Sequence, residues 1–262
     1  MDAALPRPGS KLSSLAPLAA EAAISHFHGT ASNGNQQKAL TRKLDEAIAQ
    51  RVLDTIPESD GDSWIRVIGN RGPAAGSWLT PLPGVDEPTW LDQRAFTTLV
   101  KSRYGQPLLE SRGRCQRCGN VTDVHGRHTL ACGSRHPMHN VLKAGVSLIA
   151  QQAGLQPRNE PRVRQDKGWR ADIGTAAPNA SGRTLIDTTF VSTFASQYRL
   201  QARSAIAGAA QHAAENKKNL YASYGMDKGD VFVPVAIDSS LAIDADGLKY
   251  LRSMAKAIGA KQ

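Results

Sequence analysis

The sequence predicts an α/β chain: a mixed β-sheet with helices on its faces. Three observations predict it. Three strand-like segments, 155–163, 169–174 and 184–191, follow one another. A long helical stretch, 196–224, separates them from a fourth segment, "DVFVPVAI" (230–237). Helical segments bracket the set, "PMHNVLKAGVSLIAQQAG" (137–154) ahead of it and 247–258 behind. Strands in a run, then a helix and another strand, argue for a mixed sheet covered by helices. At 262 residues the chain is long enough for one or two ordinary cores.

The elements follow in order. Residues 1–36 read as a loose leader with a helix around 15–26. "QKALTRKLDEAIAQRVLDTI" sets Leu40, Leu44, Ile48, Val52, Leu53 and Ile56 at helical spacing, and Pro57 stops it. "SDGDSWIRVIGN" is a short helical piece before a Gly/Pro-rich loop. Asp92 caps a helix over 93–104. In 137–154, proline stands near the first turn and glycine just past the end, the usual asymmetry of a helix. The expected organisation is a leader (1–36), a helical region (37–110), a Cys/His segment (111–136) and a sheet domain (137–262).

The net charge of +9 favours a polyanionic partner such as nucleic acid or an anionic membrane face. No stretch approaches the roughly 18 apolar residues of a membrane span. The Ala/Ser-rich N-terminus lacks the apolar run of a secretory signal. The expected setting is therefore intracellular.

All three cysteines fall within "CQRCGNVTDVHGRHTLAC", which reads Cys115-x2-Cys118-x9-His128-x3-Cys132. An odd count in one cluster is a poor disulfide framework and a good metal site. Zinc takes four ligands in a tetrahedron; a CxxC turn supplies two thiolates and a distant His/Cys pair closes the cage. His125 competes with His128, which is preferred because it shares a helical turn with Cys132. Four protein ligands make such a site structural. Arg112, Arg114, Arg117, Arg127 and Arg135 lie around it, placed to face phosphates or simply solvent.

"RADIGTAAPNASGRTLIDTT" holds two acids, Asp172 and Asp187, each in a strand-like run. If the strands form a hairpin about 177–182, the acids are equally far from its midpoint. They then stand opposite each other on one face, with Cβ atoms about 4.5–5.5 Å apart. Two carboxylates there repel unless a cation sits between them, and Mg²⁺ suits hard oxygen ligands. Asp187 interrupts an apolar, β-branched run, so it needs a partner or a purpose. Glu160 sits in the preceding strand. Lys217 and Lys218 lie on the long helix, whose "AIAGAAQHAA" half lets it approach the sheet closely. Gln211, His212, Glu215 and Lys218 share one polar face.

The order of these motifs resembles the C-terminal region of non-LTR retrotransposon proteins of the restriction-like-endonuclease class, where a Cys/His zinc knuckle precedes a PD-(D/E)XK nuclease domain. The matching stretches are the cysteine segment, "RHPMHNVLK", "NEPRVR", "RADIG", "LIDTTFVS", "AAENKK" and "VFVPVAIDS"; upstream, "AAGSWLTPLP" and "RAFTTLVKSRYGQPL" are similar too. The resemblance covers about 37–258. It implies an α-β-β-β-α-β restriction-endonuclease-like core. It makes Asp172 the acid of "PD", Asp187 the acid of "(D/E)XK" and Glu160 a supporting acid. Two residues after Asp187 stands Thr189, and Ala171 replaces the proline. The family's lysine often sits in the following helix, which points to Lys218, with Lys217 as the fallback. Arg170, opposite Thr189 in the same register, reaches toward a phosphate.

What the resemblance implies is a Mg²⁺-dependent endonuclease that nicks DNA in the nucleus, with structural Zn²⁺ and with Arg114, Arg117, Arg127 and Arg135 on nucleic acid, RNA included. The chain has no Tyr-x-Asp-Asp polymerase motif, so a reverse transcriptase would be supplied separately. The alternative is a catalytically inactive, zinc-dependent nucleic-acid-binding module. A third reading is a structural domain whose basic charge is incidental.

Overall fold

The structure, a computed structural model, describes residues 36–72, 92–132, 136–164, 166–176 and 182–260. For 36–41, 131, 136 and 137 it describes the backbone alone. The expected helix at 15–26 and Arg135 lie outside the described residues.

These residues fall into two compact units, divided between Val67 and Ile68. The first holds α1 (Gln36–Thr55) and most of α2 (Gly61–Asn70). Leu53 and Ile65 are its buried apolar side chains. The second unit begins at the end of α2 and continues through α3 (Gln93–Arg103). Asp92 caps α3 by accepting from the Ala95 N–H, as its position ahead of the helix predicts. Next comes a small hairpin, β1 (Gly113–Arg114) with β2 (Val121–Thr122), and a short helix α4 (Arg127–Ala131).

The main body follows: α5 (His136–Gln152), β3 (Arg158–Asn159), β4 (Ile173–Ala176), β5 (Arg183–Val191), α6 (Ser196–Ser204), α7 (Gly208–Tyr224), β6 (Val231–Asp238) and α8 (Ala245–Gly259). The sheet order is β3-β4-β5-β6. The first two pairs are antiparallel and β5–β6 is parallel, so the sheet is mixed as expected. The parallel pair forces a crossover, and α6 and α7 make it.

Alternation along β5 builds two cores. Leu185 joins Val163, Ala171 and Tyr221 under α7. Ile186, one residue on, joins Ile173, Val235 and Val146 on the other face, under α5 and α8. Ala150, Ala153 and Met254 continue that second layer between α5 and α8. No helix among the described residues is long and apolar enough to cross a membrane.

Three elements differ from expectation. The strand expected at 169–174 begins only at Ile173 and runs to Ala176. The strand expected at 155–163 shrinks to Arg158–Asn159. Glu160 has φ +50°, outside the β region, and Pro161 has no N–H to give a ladder. The helix expected at 196–224 breaks in two, with Ala207 left-handed at φ +57°. A Cβ on Gly208 would stand 2.0 Å from the Gln201 carbonyl oxygen, so only glycine lets the two helices meet there.

The turn from β6 into α8 hangs on Asp244. It is fully buried and accepts from the Ala236 N–H (2.7 Å) and the Gly247 N–H (2.9 Å). Asp244→Ala strands two buried donors and removes a helix cap. It is expected to cost about 2–4 kcal/mol in urea unfolding.

Candidate active site and metal centre

The hairpin β1–β2 presents Cys115 and Cys118 at its tip. Cys115 N donates to Asn120 O (2.7 Å) and Gly119 N to Cys115 O (2.8 Å), with Gly119 at φ +75° as the tight turn requires. Asp123 then sets the start of α4. Its carboxylate accepts from the backbone N–H of His125 (2.9 Å) and His128 (3.0 Å). Burial works to raise the Asp123 pKa, but these backbone donors outweigh it and hold the carboxyl below its ordinary value.

That scaffold brings Cys115, Cys118, His128 and Cys132 together, with all ligand atoms within 4.8 Å of one another. The Sγ atoms of Cys115 and Cys132 are 3.9 Å apart, close to the about 3.8 Å that two sulfurs on a tetrahedral zinc require. His128 Nε2 lies 3.0 Å from Cys118 Sγ, so the group takes His128 and leaves out His125. Backbone N–H groups of Arg117 and Cys118 lower the Cys115 thiol to about 6, which favours the thiolate a metal binds. This Cys₃His group can hold a metal such as zinc.

The four arginines of this region that were expected on phosphates divide. Arg114 and Arg117 are exposed, Arg114 donating to Gly119 O at 3.2 Å. Arg127 lies over the Phe194 ring, 5.2 Å from its centroid, and so helps join the metal centre to the loop after β5. Arg135 lies outside the described residues.

The acids sit where β4 and β5 part. Ile173 pairs with Ile186, so the next pair outward is Asp172 and Asp187, the register read from the sequence. Asp172 lies one residue ahead of β4, and its carboxylate is held by β5 and α5. Its Oδ2 accepts from both N and Oγ1 of Thr188, each at 2.7 Å. Its Oδ1 is 3.2 Å from Nε2 of His139, on α5. Asp187 turns to α7: its Oδ2 accepts from Tyr221 OH (2.6 Å) and from Lys217 Nζ (3.1 Å). Each acid is thus held by a different helical layer.

Asp187 is the more buried, with 9% of its side chain exposed against 17% for Asp172. Burial raises its pKa; Lys217 opposes the rise, and the Asp172 charge adds to it, so the two acids feel each other. Its Oδ1 is 3.0 Å from Lys217 Nζ, so the ammonium faces both carboxylate oxygens. Burial and the Asp187 charge push Tyr221 far up, so it stays protonated and donates.

The lysine at the acids is Lys217. Lys218, the residue expected there, pairs with Asp246 instead. A step of about 100° around a helix separates the two. Ala210, Ala213, Ala214, Lys217 and Tyr221 form one stripe facing the sheet, and Lys217 interrupts its apolar run. Glu160 is exposed and does not reach the pair: it meets Lys143 (3.1 Å) and Arg170 (3.9 Å). Its backbone N–H donates to Asp172 O at 2.9 Å, so its link to the site is through the main chain. Arg170 bridges Arg162 on the β3 side, not Thr189. His139 was not legible as a site residue, although it stands in "RHPMHNVLK". An open cavity of about 760 Å³ lined by Arg158, Pro161, Thr175 and Arg183 lies elsewhere; neither acid borders it.

Fold and site together define an α/β chain with a mixed sheet and a Cys₃His group suited to a metal such as zinc. No family model matches the chain, and a search of curated proteins finds no match.

Proposed function

We propose that the protein is a divalent-metal-dependent DNA endonuclease, with a restriction-endonuclease-like core and a zinc knuckle, of the kind found in non-LTR retrotransposons. The observation that carries this reading is the in-register placement of Asp172 and Asp187 at the end of the β4–β5 pairing, where each acid feels the other's charge and Lys217 pairs with Asp187. Mg²⁺ held by the two acids would activate water and offset charge at the phosphate. Lys217 adds a positive charge beside Asp187 and is half-exposed, so it can turn to a scissile phosphate. Tyr221 fixes Asp187, while Thr188 and His139 fix Asp172. The knuckle arginines Arg114 and Arg117 position the DNA backbone. The protein then works in the nucleus beside a separately supplied reverse transcriptase.

The test is nicking of supercoiled plasmid with Mg²⁺, Mn²⁺ or no added divalent ion. Wild type is expected to nick with a divalent ion, and Asp172→Ala is expected not to. A second reading, a binding module without catalysis, is favoured by the same Lys217 contact, since the ammonium already offsets the Asp187 charge. Salt-sensitive DNA binding with no nicking under any ion would establish it.

The two lysines give a sharper comparison. Lys217→Met is expected to slow nicking roughly a hundredfold. Lys218→Met leaves the rate within about threefold, because a half-exposed pair with Asp246 carries little energy. Rate constants from plasmid time courses decide it; the opposite ranking returns the role to Lys218.

A further inference from the structure

An aromatic column leads from the surface to Asp187. Trp169 stacks on Tyr224 with centroids 4.1 Å apart and planes 18° from parallel. Tyr224 leans on Tyr221 at 5.6 Å, and Tyr221 stacks on Phe232 at 3.9 Å. The Tyr221 hydroxyl is the group that holds Asp187. The inner end of the column is buried, whereas Trp169 is 38% exposed although one ring face is covered. Its loop is fastened by Val163 N to Trp169 O (2.9 Å) and Lys167 N to Arg164 O (3.3 Å). Trp169 is therefore a fixed, exposed ring three residues ahead of Asp172.

Its surroundings are basic. Residues 162–170, "RVRQDKGWR", carry four basic side chains and one acid. Asp166 is taken up by Arg164 in a two-pronged pair at 2.8 Å. Lys167 and Arg170, two residues before and one after Trp169, are exposed, and the nearest acid to Arg170 is 3.9 Å away. A π-face flanked by cations matches an unpaired base between its two phosphates; a duplex stacks its bases inward and offers no such face.

We propose that Trp169 is a stacking platform for an unpaired base of single-stranded DNA, with Lys167 and Arg170 on the adjoining phosphates. This rests on the nuclease reading for its choice of DNA and adds the substrate's form: a strand that is single, or opened, next to the acids. The platform holds the nucleotide beside the column that ends on Asp187.

The test measures binding of the full-length protein to a labelled single strand and to its duplex, in Ca²⁺ in place of Mg²⁺. Trp169→Leu, which keeps apolar bulk without a π-face, is expected to weaken single-strand binding roughly ten- to a hundredfold and to leave duplex binding nearly unchanged. Its salt dependence stays that of wild type, while Lys167→Ala reduces the salt slope by about one. Trp169→Phe is expected to bind the single strand within a few-fold of wild type but to lose the tryptophan quenching that the strand causes. That second variant carries the test should Trp169→Leu unfold. The proposal is overturned if quenching is the same in wild type and Trp169→Phe. It is equally overturned if folded Trp169→Leu binds the single strand as wild type does, loses both ligands equally, or if RNA of the same sequence binds more tightly than DNA. Because Ca²⁺ binding is read without cleavage, a Trp169-dependent strand preference in a protein that never nicks keeps the platform and removes only the nuclease.

Discussion

Asp187→Asn is expected to abolish nicking and at the same time to raise the melting temperature at neutral pH. Loss of a carboxylate at the reacting phosphate is worth about a thousandfold or more in rate. The stability gain follows from where the charge lies. Burial holds the Asp187 pKa above 3.8, so its ionised form is less comfortable in the folded chain than in the unfolded one. Between 3.8 and the raised value the folded state binds the proton more tightly. Wild-type stability from this group is therefore present at low pH and lost as pH rises through that window. Asparagine carries no such charge, yet its amide oxygen still accepts from Tyr221 and Lys217. Melting curves across pH should show the variant drawing ahead of wild type as pH climbs above 3.8. A variant that is inactive and less stable at every pH would mean that the Lys217 pair outweighs the burial.

Metal removal is the second large effect. The segment from β1 to Cys132 has two strands of two residues and one helix of five. Pieces that short do not hold themselves in water. A metal bound there would supply the missing energy, about 10–16 kcal/mol for structural zinc in small finger peptides. The protein is expected to purify with one zinc per chain, measured by elemental analysis. Chelation, or Cys132→Ser at a buried ligand, is expected to open 113–132 to trypsin at Arg114, Arg117 and Arg127. The packing of Arg127 on Phe194 goes with it. Equal digestion of the metal-loaded and metal-free chain would rule out a structural role for the ion.

Local pattern carried much of this architecture. The symmetry of Asp172 and Asp187 about their loop gave the β4–β5 register directly. The Cys/His spacing gave the metal group because its ligands come from neighbouring residues. What stayed hidden depends on contacts between layers. The polar face of α7 drew attention to Lys218, while the informative residue was the lysine interrupting the alanine stripe. His139 meets Asp172 from a helix over 30 residues upstream, and no local periodicity encodes that meeting. The break at Ala207 carried no proline; its signal was the crowding of Gly208 against Gln201, visible only once both helices are placed.

The parallel pairing of β5 with β6 has a temporal consequence. Both aspartates emerge from the ribosome well before Val231, and the layer under α7 stays incomplete until β6 brings Phe232 against Tyr221. Closing so distant a pairing is among the slower steps available to a chain of this size. A nascent polypeptide halted short of Val231 holds Lys217 and Tyr221 but not the strand that completes the layer beneath α7, so the setting of Asp187 waits for β6.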